Sequence, residues 1–187
     1  MPKKRTLPYI LLGLIHSNHQ LSGYQMMQEF KHEISDFWTA SHSQIYPELQ
    51  RMTEDDWIAP VTSPFNVDTK RNQTFYQLTA TGEQVLEDWL REPLTTTNDD
   101  LFPLKLFFID DQQSDLLKPL IAQQLQLSTD RRDYLLGRMA TVFPTEAEIQ
   151  AHYGHYLTLT RGIERESSYV KWLVDLAINL NDIDDLN

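Results

Sequence analysis

The most informative segment of the chain reads Ser41-His-Ser-Gln-Ile-Tyr-Pro-Glu-Leu-Gln-Arg-Met52. Ser41 and Gln44 have the spacing of a capping box, which predicts a helix that starts near Ser41, with Ser43 as an alternative cap. Apolar residues then recur at helical spacing, at Ile45, Leu49 and Met52. The segment therefore predicts an amphipathic helix with one face on a core and a polar face toward solvent.

Two further helices are predicted before this segment. Residues 7–17 are apolar nearly all round, which indicates a buried helix, and Ser22-Gly-Tyr-Gln25 is a second capping box that opens a helix to about residue 34. The basic start followed by an apolar run superficially resembles a signal peptide. The run is too short and lacks a cleavage site, so we interpret it as a core helix behind a basic arm.

The residues after the segment predict a hairpin and a fourth helix. Residues 57–62 and 74–78 are rich in β-branched and aromatic residues, and the stretch between them, 63–73, is turn-prone. Thr81-Gly-Glu-Gln84 then has the pattern of a capping box before an apolar stripe. Three helices, a hairpin and a further helix form the ground plan of a winged helix-turn-helix.

The second half of the chain predicts only helices. Composition changes around residues 93–100, and helical patterns follow at 104–109, 113–139 and 146–180. The last helix would span roughly 50 Å, more than a small domain needs, so we expect it to pack on the same helix of a second subunit. The predicted fold is mainly α with a small β-hairpin: a winged helix-turn-helix over residues 1–92 and a helical dimerisation domain over 93–187.

Several motifs, in order, resemble those of the PadR family of transcriptional regulators. The amino-terminal ones are Leu21-Ser-Gly-Tyr24, Phe37-Trp38, Ser43-Gln-Ile-Tyr-Pro-Glu-Leu49 and Tyr76-Gln-Leu-Thr-Ala-Thr-Gly82 with Trp89. Gly154-His-Tyr-Leu-Thr-Leu-Thr160, Glu164-Arg-Glu166 and residues 169–173 resemble the dimerisation domain of the phenolic-acid-responsive subfamily. The resemblance implies a cytoplasmic homodimeric repressor on a palindromic operator, typically of a phenolic acid decarboxylase gene. It also implies release by hydroxycinnamic acids such as p-coumaric or ferulic acid.

A DNA-binding function makes specific residues candidates for contacts. We expect base contacts from Thr39, Ser41, His42, Ser43, Gln44 and Tyr46, among which the Gln44 amide is suited to pair with adenine. Phosphate contacts are expected from Lys70 and Arg71 in the wing and from Lys3 and Lys4, with Arg5, on the arm. The alternative is a solvated helix start and solubilising charge. The net charge of −11 opposes DNA binding overall, although residues 37–52 contain a single acid, Glu48.

An aromatic acid effector requires a mostly apolar pocket with a few polar groups. His155 and Tyr156 lie in the block that resembles the effector-responsive subfamily, and Tyr9 and His16 could line the opposite wall. The alternative for all four is a packed interface aromatic. His152 and His155 have a spacing that can share a metal, but no third ligand is placed, so neither a metal nor a cofactor is predicted.

Other functional classes receive less support from the sequence. There is no cysteine, no Gly-x-Ser-x-Gly, no phosphate-binding glycine loop and no His-Glu-x-x-His, so an enzyme is not predicted. The lack of cysteine suits a reducing cytoplasm, and no apolar stretch approaches the roughly 20 residues of a membrane span. The alternatives that stay open are a winged-helix protein-interaction module and a PadR-type regulator that answers to a different effector.

Overall fold

A computed structural model describes residues 5–35, 44–61 and 74–184, with side chains up to residue 180. Contacts divide the chain into two compact units, Met1–Glu92 with Pro103–Gln112, and Pro93–Phe102 with Gln113–Asn187. Residues 103–112, which sequence analysis placed in the second part, thus belong to the first unit. The reason is side-chain packing, because Lys105 and Phe108 are buried on helices of that unit.

The first unit is built from four helices around a small sheet. The helices are α1 (Leu7–Asn18), α2 (Gly23–Glu29), α3 (Ile45–Glu54) and α4 (Ala80–Arg91). As predicted, α1 is a buried helix, because it is apolar nearly all round, and it contacts α2, α3 and α4. Its Gly13 lies against the Phe108 ring, and a Cβ at that position would come within 2.5 Å of the ring.

The second helix ends in a wide turn. Ser22 and Gln25 form the predicted capping box, with the Gln25 amide 3.3 Å from the Ser22 hydroxyl and the Ser22 amide 2.9 Å from the Gln25 side-chain oxygen. Residues Phe30–Ile34 then form a π-helical turn, in which the Ser35 amide donates to the Phe30 carbonyl. Phe30 and Ile34 are buried, so the wide turn keeps both side chains on the core.

The sheet contains the predicted hairpin and one short strand that was not predicted. Its strands are β1 (Leu21–Ser22), β2 (Ile58–Val61) and β3 (Phe75–Leu78), antiparallel in the order β1-β3-β2. Ile58 pairs with Leu78, and Leu21 pairs with Tyr76. The hairpin tip lies outside the described residues. The described architecture is the predicted winged helix-turn-helix.

The predicted cap of α4 is wrong by two residues. Thr79, not Thr81, is the N-cap, and its hydroxyl oxygen accepts from the Gly82 amide at 3.0 Å. Thr79 follows β3 directly, and its amide and hydroxyl donate to the carbonyls of Trp57 and Asp56. These long-range hydrogen bonds fix the helix start at Thr79 and place Thr81 inside the first turn.

The second unit is helical, and its main contact is between two long helices. A 3₁₀ turn (Asp99–Leu101) leads into α5 (Phe102–Phe107), which belongs to the first unit apart from Phe102. The second unit continues with α6 (Leu117–Val142), α7 (Glu146–Ala151) and α8 (Tyr153–Asp184). The prediction of one helix over 146–180 is wrong, because the backbone of His152 is not helical (φ −132°, ψ 41°) and separates α7 from α8. Gly154, a poor helix former, follows that break.

Candidate nucleic-acid interface and ligand cavity

Two of the predicted base-contacting residues are described by the structure, Gln44 and Tyr46. Gln44 is exposed and precedes α3 with a helical backbone, and Tyr46 in the first turn of α3 is 58% exposed. The predicted cap of this helix and the remaining candidates lie outside the described residues: Thr39, Ser41, His42, Ser43, Lys70, Arg71, Lys3 and Lys4. The described part therefore presents one amide and one phenol to solvent at the start of α3.

The opposite face of α3 is anchored in the core. Ile45, Leu49 and Met52 are each 1% exposed, as the helical spacing predicts. Glu48 is also buried, and its carboxylate accepts from Arg5 at 2.5 Å and from Arg51 at 3.2 Å. Arg5, which sequence analysis grouped with the phosphate-binding arm, is therefore engaged with α3.

A second exposed tyrosine lies one residue after the glycine against which Tyr46 packs, and sequence analysis did not name it as a candidate. A Cβ on Gly23 would come within 2.8 Å of the Tyr46 ring, so α2 and α3 approach closely at this glycine. Tyr24, the next residue, is 49% exposed. The motif Leu21-Ser-Gly-Tyr24 was interpreted as a helix start and as part of the family resemblance, and no DNA contact was assigned to its tyrosine.

A ring-lined cavity lies elsewhere on the first unit. Tyr9 stacks on Trp89 with ring centres 5.2 Å apart and planes 7° apart, and on Trp57 at 6.4 Å. The three rings, with Val85, Asp88 and Glu92, line a cavity of about 350 Å³. Tyr9, a predicted effector residue, is thus placed at a cavity of the size that small-molecule sites have.

Lys105 holds Trp89 in place at this cavity. Its side chain is 0% exposed, and the ammonium lies 5.5 Å from the centre of the Trp89 ring. The ammonium also donates to the backbone carbonyls of Leu90 and Glu92 at the end of α4. A buried lysine is expected to have such partners, because an unpaired buried charge is costly.

The other predicted effector residues occupy different places. His16 is exposed near the end of α1, about two turns beyond Tyr9. In the second unit, exposed His155 and half-buried Tyr156 both contact the Phe143 ring edge-on, with centre distances of 5.2 and 5.6 Å. The structure thus brings His155 and Tyr156 together on Phe143.

A buried polar cluster joins helices of the second unit. The Glu166 carboxylate is buried, accepts from Arg165 at 2.7 Å and lies 3.9 Å from Arg131. Arg131 also contacts Asp99 at 3.3 Å. Burial, together with the nearby Asp99 charge, raises the pKa of Tyr169 from 10.0 to about 12. The Tyr169 hydroxyl therefore keeps its proton above pH 10, where an ordinary tyrosine begins to lose it.

Within the described ranges, no three histidine, cysteine, aspartate or glutamate side chains converge in a way that could hold a metal ion. None of the helices in those ranges is both long and apolar enough to cross a membrane.

Comparison with known proteins identifies the family. Residues 11–88 match the transcriptional regulator PadR-like family, and residues 100–181 match a family described as virulence activator alpha C-term. The chain is 38% identical to the negative transcriptional regulator PadR of Bacillus subtilis, over 90% of this chain and 94% of that protein. The chain belongs to the PadR-like family. A "probable transcriptional regulator" of Mycobacterium tuberculosis is 26% identical over 83% of this chain and 88% of its own.

Solved structures of the B. subtilis PadR are also similar to this PadR-like chain. One, in complex with operator DNA, matches 94% of this chain and 98% of its own at 35% identity and a TM-score of 0.45. Another, in complex with p-coumaric acid, matches 95% and 99% at 35% identity and a TM-score of 0.42. Because the matching relatives are transcriptional regulators, this chain is a PadR-type transcriptional repressor and not an enzyme.

Proposed function

We propose that this PadR-type protein is a cytoplasmic homodimer that represses a phenolic acid decarboxylase gene and leaves its operator when a hydroxycinnamic acid binds. The observation that carries the DNA-binding role is the arrangement of α3. Its apolar face is buried, and Gln44 and Tyr46 are exposed at its amino-terminal end. Residues at that end of a recognition helix are those that reach base edges in the major groove.

The proposed interface extends around α3. Base contacts come from Gln44 and Tyr46, and from the other residues predicted to contact bases: Thr39, Ser41, His42 and Ser43. Tyr24 is added because it is exposed and follows Gly23, the residue of α2 that lies against the Tyr46 ring. Lys70, Arg71, Lys3 and Lys4 supply the phosphate contacts. These basic side chains are needed because the net charge of −11 otherwise opposes binding to the DNA phosphates.

Exposed apolar residues on the long helices support the homodimer. Helix α8 has 32 residues, roughly 48 Å at 1.5 Å per residue. Large apolar side chains of α6 and α8 are exposed in the single chain: Tyr134, Leu136, Tyr153, Leu157, Trp172, Val174 and Ile178. A monomeric soluble protein rarely exposes so much apolar surface on one pair of helices, so we assign these helices to the subunit interface.

The effector assignment rests on the 38% identical relative, whose structure contains p-coumaric acid. Tyr9, His16, His155 and Tyr156 are the proposed effector residues. Among them, Tyr9 lies at the ring-lined cavity, and His155 and Tyr156 lie together on Phe143. Aromatic side chains of this kind suit a phenolic ring.

A gel-shift titration tests the repressor function. The purified protein is mixed with the DNA upstream of its own gene and of a decarboxylase gene, with and without p-coumarate or ferulate. We expect a specific shift that either acid abolishes. A shift that neither acid changes would indicate a different effector. No shift on any of these fragments would refute the DNA-binding role and favour a protein-interaction module, which the acidic net charge suits.

The wing assignment has its own test. Changing Lys70 and Arg71 together to alanine removes two phosphate contacts from each subunit of the homodimer and should flatten the salt dependence of operator binding by about three to four in log–log slope. The matched control changes two exposed basic residues of α8, Arg161 and Lys171, to alanine and should leave the slope of the salt dependence unchanged. Equal slopes for both variants would contradict the wing assignment.

The assignment of His155 is tested by effector release. His155→Ala should bind the operator normally and require more p-coumarate for release. His152→Ala, which changes an exposed histidine three residues earlier in the chain, should respond like the wild type. Release at the wild-type concentration by His155→Ala would remove this residue from the effector site.

A further inference from the structure

Two arginines meet on one buried carboxylate of α3, and the interface proposed above uses none of these three side chains. Arg5, which precedes α1, and Arg51 of α3 both donate to Oε2 of Glu48, at 2.5 and 3.2 Å. We propose that Glu48 is a positioning residue, which holds Arg5 and Arg51 at the flank of α3 so that both guanidinium groups bind phosphates of the operator. This inference rests on the proposed DNA-binding function and adds Glu48 and Arg51 to its interface.

The cluster has more positive charge than its carboxylate needs. The side chain of Glu48 is 7% exposed, so its charge requires a partner. A single guanidinium can supply that partner, yet the structure places two on the same oxygen. Together the three side chains carry one net positive charge. Because the side chains of Arg5 and Arg51 are 59% and 53% exposed, this excess charge faces solvent.

Each guanidinium retains donors for a further anion. A guanidinium has five N–H donors, and the contact with Glu48 uses only Nη2 of Arg5 and Nη1 of Arg51. The planar arrangement of these donors suits phosphate oxygens, to which arginine forms strong charge-assisted hydrogen bonds. An arginine that a buried carboxylate already holds loses less side-chain freedom when it binds a phosphate.

The cluster lies on the side of α3 that is away from α2. Tyr46 marks the side toward α2, because its ring lies against Gly23. Glu48 comes two residues later, about 200° further around the helix. Arg51 is exposed, as is Gln50 before it, so it borders the solvent face of α3. A recognition helix in the major groove runs between two phosphate backbones, and the arginines lie where one of these backbones passes.

Gel-shift titrations at a series of salt concentrations test the phosphate contacts, with the duplex upstream of the protein's own gene as the probe. Arg51→Met removes one contact in each subunit of the dimer and should flatten the log–log salt dependence by about two. Arg5→Met should have the same effect. Arg51→Lys retains the charge and should keep the wild-type slope. The matched control is Arg91→Met, which removes an exposed arginine of α4 that also pairs with a carboxylate, Glu87, and should leave the slope unchanged.

The positioning role of Glu48 is tested by the sign of its effect on DNA affinity. Glu48→Gln removes a negative charge from the interface, which by electrostatics alone would tighten binding. We expect affinity to fall about tenfold instead, because both arginine side chains must then be ordered during binding. Glu54→Gln, the matched control, removes the same charge from an exposed position of α3 and should bind at least as tightly as the wild type.

A double-mutant cycle separates positioning from a merely structural role. If Glu48 acts through the arginines, Glu48→Gln should cause no further loss of affinity in a chain that already carries Arg5→Met and Arg51→Met. A structural role would lower affinity equally in both backgrounds. A variant that folds poorly lowers the active protein concentration but does not change the salt slope, so instability does not imitate the loss of a phosphate contact.

The outcomes distinguish this inference from the function on which it rests. If the wild type binds the DNA and either arginine variant keeps the wild-type slope, that phosphate contact is wrong and the DNA-binding function stands. If Glu48→Gln binds as tightly as the wild type, or weakens binding equally in both backgrounds, the positioning role is wrong. If the wild type binds no DNA, the proposed function and this inference both fail.

Discussion

Gly82→Ala is expected to destabilise the first unit although alanine is the better helix former. A Cβ at Gly82 would lie 1.9 Å from the carbonyl oxygen of Trp57 and 2.9 Å from its carbonyl carbon. Both are backbone atoms, so α4 and the start of β2 must separate. That carbonyl also accepts from the Thr79 amide at 3.1 Å, and the separation strains this hydrogen bond.

The magnitude follows from three terms. Overpacking costs about 1–3 kcal/mol. A weakened backbone hydrogen bond adds about 1 kcal/mol. The higher helix propensity of alanine returns about 1 kcal/mol. We therefore expect a net loss of about 2 kcal/mol in the free energy of unfolding.

Urea denaturation followed by circular dichroism, at one fixed protein concentration, measures this loss. Gly137→Ala is the matched control, because Gly137 is in α6 and a Cβ there meets nothing within 4 Å. The control should gain about 0.5–1 kcal/mol. If Gly82→Ala unfolds at the wild-type urea concentration or higher, the close approach of α4 to Trp57 is wrong.

Three further predictions concern buried polar groups. Because the pKa of Tyr169 is raised to about 12, the folded state keeps the proton above pH 10, so stability present below pH 10 falls as pH rises toward 12. Urea midpoints between pH 9 and 12 should decline less in Tyr169→Phe, and equal declines would contradict this. Lys105→Met should lower the free energy of unfolding by about 1–3 kcal/mol, because two carbonyls at the end of α4 lose their donor. A melting temperature at or above that of the wild type would refute it. A double-mutant cycle with Glu48→Gln and Arg5→Met should give a coupling of about 0.5–1 kcal/mol, since Arg5 is largely exposed. Additive losses would show that the pair contributes nothing.

The sequence predicted those parts of the fold that depend on local interactions. The capping box of Ser22 and Gln25 joins residues three apart, and the burial of α1 follows from its own composition. The cap at Thr79 could not be predicted, because hydrogen bonds to Asp56 and Trp57, more than 20 residues away, select it over Thr81.

The candidate sites were predictable to a smaller extent. The exposed start of α3 followed from helical spacing, and Tyr9 was named as an effector residue. Asp88 and Glu92 were not named as residues of this cavity, because only the folded chain places them beside Trp57, which is distant in sequence. The burial of Lys105 was also unpredictable, since its acceptors are backbone carbonyls that carry no sequence signal.

The π-helical turn at Phe30–Ile34 bears on how this protein tolerates insertions and deletions. A π-helical turn is closed by a hydrogen bond between residues i and i+5, whereas an α-helical turn is closed between i and i+4, so the π turn contains one extra residue. Removing one residue there restores an ordinary α-helix, yet the rest of the turn would rotate by about 100° relative to α2. That rotation would turn Ile34 away from the core on which it is now buried. Relatives with a chain shorter by one residue at this turn are therefore expected to carry compensating changes at the buried positions of the turn itself.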